Sequence, residues 1–403
     1  MSGIDGDLLT RQSIRRLATE ADPYATGRRH MSPTQAFIGR WLVSNVMGLT
    51  LDDWIRLAAE NRFAIGPRYW SRAAVTTFLS LLNSTFAIAE RLSFGRAITT
   101  TAVQAPVFIL GHWRSGTTLL HNLLTLDPRF AAPNLFETML PHGFLVTEDW
   151  QAPLWKRFVP DTRLIDNMPL SIELPQEDEF ALAILTRCSP YMGHSFPQRW
   201  SHYMRYLDFR DVDDEEIQRW KRCFLRYTRR LTLHRGGRRL ILKSPPHTAR
   251  IRLLLELFPD ARFIHIHRDP YRVFQSSLHI LTEGLPLAKM QSGDLPAPEE
   301  FVIERYNRLH DAYFDARDYV PKGHLIEIGF GDLQREPIET MTRLYEQLEL
   351  DDLDKMKLRL ESHGKTLRDY SQNRYPPLAP HLRQRIAKAW DRSFASWGYE
   401  KGL

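Results

Sequence analysis

The chain has 403 residues, of which 43% are apolar and 25% are charged. These values are typical of a globular protein and exclude a disordered tail protein, a collagen-like fibre and a small disulfide-stabilised protein. The formal net charge is +6 and the pI is near 9.3. This modest positive excess suits an anionic ligand or an acidic membrane surface, and it is too small to indicate a nucleic-acid partner.

Two features of the sequence indicate the compartment. Cys188 and Cys223 are its two cysteines, which is typical of a protein with reduced thiols, and the N-terminal sequence lacks the apolar stretch of a secretory signal. We therefore expect a cytoplasmic protein. The most apolar helical stretch, Ala73–Ala89, is interrupted by polar residues, so it predicts a buried helix rather than a membrane span. Peripheral contact with a membrane is the alternative.

The sequence predicts two regions, a helical extension at the N-terminus and a main domain after it. Residues 1–100 are predicted to form a helical N-terminal extension, in which Thr50 and Asp53 have the spacing of a helix cap. Residues 101–403 are predicted to form the main domain. Within it, residues 136–215 are rich in Pro, Trp, Met and acids, and they predict an irregular insert that covers the substrate.

From Val107 onward, short apolar strands alternate with helices. Strands are predicted over Val107–Leu110, Leu240–Leu242, Phe263–His267 and His324–Ile328, with a helix after each of the first three and a last, amphipathic helix over His381–Trp397. This alternation predicts an α/β fold with a P-loop-type parallel sheet flanked by helices. Because ligands of such sheets bind at the carboxyl ends of the strands, the loops after the first three strands are predicted to converge.

The loop after the first strand has the composition of a phosphate-binding loop. Its sequence, GHWRSGTT over Gly111–Thr118, lies where backbone N–H groups and the positive end of a helix bind phosphate. The spacing is similar to the nucleotide P-loop, but Thr117 stands in place of the P-loop lysine and the cation is Arg114. An ATP- and Mg²⁺-dependent kinase of a small alcohol is therefore less favoured, and a glycine-rich turn without function is the plain alternative.

A strand followed by Arg-Ser-Gly-Thr-Thr resembles the sulfotransferases that use 3′-phosphoadenosine 5′-phosphosulfate (PAPS), especially their carbohydrate, tyrosylprotein and bacterial branches. The resemblance implies that Arg114, Ser115, Gly116, Thr117 and Thr118 contact the 5′-phosphosulfate. It also implies an enzyme that moves the sulfonate group to a hydroxyl acceptor by in-line displacement and releases adenosine 3′,5′-bisphosphate. This chemistry requires no metal.

A second motif supports the same family. Phe263–Pro270 is a strand that runs into a helix, with Arg268 at its end and Ser276 two turns into the helix. In the family, Arg and Ser at these places bind the 3′-phosphate, to which a guanidinium donates charge-assisted hydrogen bonds. The alternative is a local pair between Arg268 and Asp269. With both motifs, the resemblance covers about residues 105 to 375.

The resemblance also implies the catalytic residues. Lys243 matches the family lysine that stabilises charge on the leaving oxygen, and Arg114 would share that task. Two candidates for the base stay open. Glu137 lies close to the position of the glutamate base in tyrosylprotein and carbohydrate enzymes, and His247 follows Lys243 on the same loop and has the side chain most often used in proton transfer.

Other candidate residues carry weaker signals. Glu177 and Asp178 belong to an acidic run, which predicts either a solvated face or groups that orient the acceptor hydroxyl. Lys365, Asn373 and Tyr375 fall where the family closes a loop over the nucleotide.

The acceptor stays open between a sterol, a lipid, a phenol and a carbohydrate. An apolar acceptor pocket is one interpretation of the large side chains in the insert, and core packing is the other. These side chains are Trp150, Trp155, Phe158, Met168, Trp200, Tyr203 and Met204. Besides the kinase, the remaining alternative is a non-catalytic anion-binding protein with the same fold.

Overall fold

The fold is that of a computed structural model, which describes residues 46–159, 170–283, 289–293, 297–350, 356–361 and 375–402. Met168, Lys365 and Asn373 lie outside these ranges. The five strands of the described sheet are β1 (Val107–Leu110), β2 (Phe130–Ala131), β3 (Arg239–Lys243), β4 (Arg262–His267) and β5 (Leu325–Gly329).

All strand pairs of this sheet are parallel, in the order β2-β3-β1-β4-β5, with β1 at the centre. The predicted α/β fold is therefore confirmed. The helices are α1 (Leu51–Glu60), α2 (Trp70–Thr100), α3 (Thr117–Leu124), α4 (Leu135–Met139), α5 (Phe144–Lys156), α6 (Asp178–Thr186), α7 (Met192–Ser195), α8 (Trp200–Met204), α9 (Asp214–His234), α10 (Ile251–Leu257), α11 (Pro270–Glu283), α12 (Pro298–Ala316), α13 (Phe330–Arg335), α14 (Pro337–Gln347), α15 (described over 356–361), α16 (Pro380–Ala389) and α17 (Asp391–Trp397).

The central strand is buried on both faces. Val107 and Ile109 belong to one apolar cluster with α3 and α14, whereas Phe108 and Leu110 belong to another with α6, α9 and α10. Successive side chains of a strand point to opposite faces, so an unbroken apolar run needs helices on both sides. This arrangement fixes the loops after β1, β3 and β4 at one edge of the sheet.

Helix α2 corrects the prediction of a buried helix over Ala73–Ala89. Four of its buried residues are polar, namely Thr76, Ser80, Asn83 and Glu90. Its outer face, defined by Trp70, Phe78, Leu81, Ile88 and Leu92, is exposed to solvent. The composition of the stretch predicted the helix, but it could not indicate which side would face the protein.

Polar contacts hold α2 against the rest of the molecule. Asn83 donates hydrogen bonds to the carbonyl oxygens of Met47 and Leu49, at 2.9 and 3.1 Å. Glu90 forms a buried ion pair with Arg230 of α9. Of the described part of the chain, Pro67–Thr100 is the one helical segment whose length and composition would allow a membrane span.

The described residues between 136 and 215 form short helices, α4 to α8, joined by turns. The predicted domain boundaries and the covering role of this insert stay predictions. At the C-terminus, the predicted helix over His381–Trp397 is two helices that meet at Trp390. The Trp390 ring is buried and stacks on Tyr306 of α12, with 3.7 Å between the ring centroids.

Candidate active site

The phosphate loop depends on two glycines in left-handed backbone conformations. Gly111 has φ of 144° and Gly116 has φ of 104°. A Cβ atom on Gly116 would overlap the ring of Phe330, so both the backbone and the space exclude other residues there. The N–H of Gly111 donates to Oγ1 of Thr248, and these atoms are 2.7 Å apart. The loop after β3 thus supports the loop after β1.

The remaining loop residues complete a tight turn into α3. The buried hydroxyl of Ser115 donates back to the carbonyl oxygen of His112 at 2.8 Å. Thr117 is buried at the first turn of α3, and Thr118 is partly exposed beside it. The predicted phosphate-binding residues therefore lead into the N-terminal turn of a helix, where backbone N–H groups are free for an anion.

The two predicted phosphate motifs meet in space. Nη1 of Arg268 donates to the carbonyl oxygen of Arg114 at 3.2 Å, and the Arg268 guanidinium lies 4.5 Å from the centroid of the Phe330 ring. Nε of Arg114 donates to Oγ of Ser276 at 2.8 Å. The hydroxyl of Tyr375 donates to the same oxygen at 3.1 Å. Four predicted donor-binding residues, from three separate parts of the sequence, therefore form one cluster.

Glu137, one of the two predicted bases, lies in a buried network of hydrogen bonds and ion pairs. Its carboxylate is fully buried, and it forms a capping box with Asn134 at the start of α4. Oε2 accepts from Arg235 at 2.6 Å, and Oε1 lies 2.8 Å from Nδ1 of His234. Burial alone raises the pKa of this carboxyl, but the charge of Arg235 and the hydrogen bond from His234 outweigh burial and lower the pKa to about 2. Such a group is a weak base.

Glu137, Glu148 and His234 also place their ligand atoms within 4.8 Å of one another. This spacing alone would suit a metal ion. However, the Arg235 guanidinium already pairs with one Glu137 oxygen, and His234 lies between the two carboxylates. The cluster is therefore an ion-pair network in which a cation is already present.

His247, the other predicted base, is buried beneath the loop after β3. Its Nε2 lies 2.5 Å from Oδ2 of Asp178, and both side chains are fully buried. The imidazole ring stacks on Phe224 and meets Phe108 edge to face. His247 therefore ties the loop after β3 to the start of α6.

Lys243 lies at the end of β3, and its ammonium group pairs with Oε1 of Glu177 at 2.8 Å. Oε2 of Glu177 accepts from the hydroxyl of Tyr191 at 2.5 Å. That hydroxyl accepts from Nε1 of Trp113, in the phosphate loop, at 2.9 Å. A chain of hydrogen bonds thus connects the predicted catalytic lysine with the phosphate loop through Glu177.

The acidic run predicted as a possible solvated face is buried and paired. Glu177 pairs with Lys243, Asp178 with His247, and Glu179 with Arg250 through two hydrogen bonds at 2.7 and 3.0 Å. These three partners all belong to β3 and the loop that follows it. Tyr191 could not be predicted from the sequence, because it belongs to no recognisable motif.

The chain is similar to known sulfotransferases over most of its length. The model of the family described as "Sulfotransferase family" matches residues 106–354. The omega-hydroxy-beta-dihydromenaquinone-9 sulfotransferase Stf3 of Mycobacterium bovis is 36% identical over 362 residues, which cover 90% of this chain and 92% of that protein. The protein of the same name from Mycobacterium tuberculosis gives the same values.

Solved structures show the same fold. Sulfotransferase STF9 from Mycobacterium avium has a TM-score of 0.58 at 20% identity, covering 88% of this chain and 97% of its own. Sulfotransferase STF1 from M. tuberculosis H37Rv has a TM-score of 0.54 at 19% identity, covering 95% and 98%. The matches in sequence and in fold confirm the resemblance that the two motifs predicted, and this chain belongs to the sulfotransferase family.

Proposed function

We propose that the protein transfers the sulfonate group of PAPS to a hydroxyl group of a lipid acceptor and releases adenosine 3′,5′-bisphosphate. The observation that supports this donor is the cluster of Arg114, Arg268, Ser276 and Tyr375 beside the phosphate loop. It brings two guanidinium groups and two hydroxyls together beside the loop. These hydrogen-bond donors suit a second phosphate group. ATP has no 3′-phosphate to occupy it.

The residues of the site fit such a donor. The left-handed turn at Gly116, where a Cβ would overlap Phe330, leads into the first turn of α3, whose N–H groups suit a phosphate. When bound, PAPS supplies an activated sulfonate group. Lys243 is the cation placed to stabilise negative charge on the oxygen that leaves with the bisphosphate.

Glu177 is the base that the geometry favours. Its carboxylate contacts Lys243 and Tyr191, whereas Glu137 pairs with Arg235 and His234, and His247 pairs with Asp178. In the proposed reaction the acceptor oxygen bonds to sulfur, the bond between sulfur and the bridging oxygen breaks, and the acceptor proton passes to Glu177. Lys243 orients this carboxylate before the transfer.

Thermal unfolding with ligands tests the donor. We expect adenosine 3′,5′-bisphosphate to raise the melting temperature more than ATP with Mg²⁺ does. Loss of a charge-assisted contact in Arg268→Ala should weaken bisphosphate binding about 10- to 100-fold, while Arg335→Ala, at an exposed ion pair elsewhere, is the matched control. A larger shift with ATP and Mg²⁺ would indicate the kinase instead.

Mass spectrometry of the products tests the transfer. Incubation with PAPS and a mixture of hydroxylated prenyl quinones, sterols, phenols and glycans should give a sulfated prenyl quinone. Binding of bisphosphate without any sulfated product would favour the non-catalytic anion-binding protein.

The proposed lipid acceptor has two supports. The mycobacterial relatives carry a dihydromenaquinone derivative in their name as the acceptor. In this chain, the apolar outer face of α2 is exposed while its polar side faces the protein, and Trp150 of α5, itself 52% exposed, packs edge to face on Phe86 beside it. We propose that this surface rests on a phospholipid bilayer, which the net positive charge favours. Both cysteines are free thiols, which supports the proposal of a cytoplasmic location.

A further inference from the structure

Arg305 of α12 lies beside Trp113 of the phosphate loop. Its guanidinium carbon is 4.5 Å from the centroid of the Trp113 ring and 5.0 Å from that of Phe301. The residue is partly exposed, whereas Phe301 is buried beneath it. Contact with two aromatic rings restricts the position of the guanidinium.

The charge of Arg305 has no counter-ion in the part of the chain that the structure describes. No carboxylate there lies within ion-pair distance of it, and its buried Nε has no hydrogen-bond partner. Burial lowers the pKa of Arg305 to about 10, a shift that Tyr191 opposes, so the group is charged at neutral pH. A cation with an unsatisfied buried donor is costly for stability and is typical of a ligand-binding site.

The residues next to Arg305 connect it with the proposed base rather than with the cluster that binds PAPS. Trp113 and Arg114 are adjacent in the phosphate loop, yet the Arg114 side chain bonds to Ser276 in the donor cluster, while the Trp113 indole bonds to Tyr191. Tyr191 in turn contacts Glu177, the proposed base. Arg305 packs on Trp113, so it contacts the loop residue that is connected to the proposed base.

The surroundings of Arg305 suit a flat and uncharged or negatively charged head group. His194 stacks between Tyr191 and Trp200, with ring centroids 5.6 and 5.3 Å apart. Trp200 meets Phe301 edge to face at 4.7 Å. Burial, and then the charge of Arg305, lower the pKa of His194 to about 3, so this histidine is neutral and adds no second positive charge.

We propose that Arg305 binds the acceptor head group by donating hydrogen bonds to a carbonyl or phenolic oxygen of its ring. The proposal rests on the proposed function and narrows the acceptor to a lipid whose head group carries such oxygens. Arg305 is then a specificity residue: it fixes the head group, while the hydroxyl that receives sulfonate lies at Glu177 and Lys243.

Kinetics with two matched acceptors test this assignment. One is a hydroxylated prenyl quinone and the other is an alcohol of equal chain length without a ring oxygen. For Arg305→Met, which removes the guanidinium but keeps an unbranched apolar side chain, we expect KM for the quinone to rise about 10- to 100-fold, with kcat and bisphosphate affinity within about twofold of wild type. KM for the plain alcohol should not change. For Arg305→Lys, we expect KM for the quinone to lie between the values of wild type and Arg305→Met.

Arg308→Met is the control on the same helix, because Arg308 pairs with Asp208 at 2.6 Å and not with the loop. An equal rise in KM for both acceptors would show that Arg305 only supports packing, and a loss of bisphosphate affinity would assign it to the donor. Quenching of tryptophan fluorescence by the quinone measures binding without turnover. If wild type forms no sulfated product but Arg305→Met still loses quinone binding, the proposed function fails and the assignment of Arg305 stands.

Discussion

At the scale of single residues, Glu137 and Glu177 are both buried and paired with a cation, but their partners differ. Glu137 is held by Arg235 and His234, and the pKa of its carboxyl is about 2 in the folded protein against a usual value of 4.5. A lowered folded pKa means that the charged group stabilises the fold above about pH 4.5 and that this stabilisation is lost as pH falls toward 2. Glu137 should therefore affect the free energy of unfolding rather than the rate of the reaction.

We expect Glu137→Gln to lower the free energy of unfolding by about 1 to 3 kcal/mol near neutral pH, because it leaves the partly buried Arg235 without its nearest partner charge. The difference from wild type should shrink as the pH falls below 4.5. Urea unfolding at several pH values measures this effect. The kcat of the folded variant should equal that of wild type, and a hundredfold loss of kcat at unchanged stability would restore Glu137 as the base.

Glu177→Gln is the matched substitution at the other carboxylate. It removes the proposed proton acceptor but keeps the size of the side chain and a hydrogen bond to Tyr191. We expect kcat to fall by about 10²- to 10⁴-fold, with the bisphosphate affinity within a few fold of wild type. Single-turnover rates at saturating acceptor measure the change. A variant with wild-type kcat would contradict the assignment of Glu177.

At the scale of elements, the sequence predicted the strands well and the exposed faces poorly. The unbroken apolar run of β1 has one interpretation in an α/β chain, and its bounds, Val107–Leu110, are those of the structure. The stretch Ala73–Ala89 has apolar residues on one side and polar residues on the other, and periodicity alone cannot decide which side is buried. Its buried partners, such as Arg230, are distant in sequence.

The phosphate loop gives a prediction at the same scale. Gly116→Ala should abolish measurable bisphosphate binding, because the new Cβ would overlap the Phe330 ring and φ of 104° is strained for alanine. Gly236→Ala is the control, since Gly236 also has a positive φ, 64°, but nothing lies within 4 Å of the new Cβ. The control should lose about 1 kcal/mol of stability and keep its affinity. Calorimetric titration with the bisphosphate compares the two variants, and equal affinities would contradict the role of Gly116.

The candidate site could be predicted only where residue types repeat a known spacing. Both phosphate motifs met that condition, and the structure brings Arg114 and Arg268 into contact. The spacing could not decide between Glu137 and Glu177 as the base, because their partners, Arg235 and Lys243, are distant from them in sequence. Arg305 carried no signal at all, since the absence of a counter-ion is a property of the folded chain.

At the scale of the whole molecule, the outer face of α2 predicts binding to membranes. Leu81 and Leu92 are 50% and 81% exposed, and burying each in lipid contributes about 1.5 to 3 kcal/mol. We expect the double substitution Leu81→Glu with Leu92→Glu to reduce binding to anionic phospholipid vesicles at least about tenfold in co-sedimentation. Leu358→Glu is the control, because Leu358 is exposed on α15, whose buried residues pack with the other face of the sheet.

Two results would overturn this view of α2. Vesicle binding that the double substitution leaves unchanged would exclude this face as the contact. A dimer in the absence of lipid that the same substitution converts to a monomer would show that a second copy of the chain covers the face instead.

Three consecutive carboxylates at the start of α6 each pair with a different basic side chain of β3 or the loop that follows it. Because the side chains of successive residues diverge, this triple attachment sets both the position and the rotation of α6 relative to Lys243. Exchange of acceptor specificity between related enzymes by grafting this region would therefore require the segment 243–250 to be transferred with it. A graft that carries the carboxylates alone would leave three charges without partners in the interior and should fail to fold.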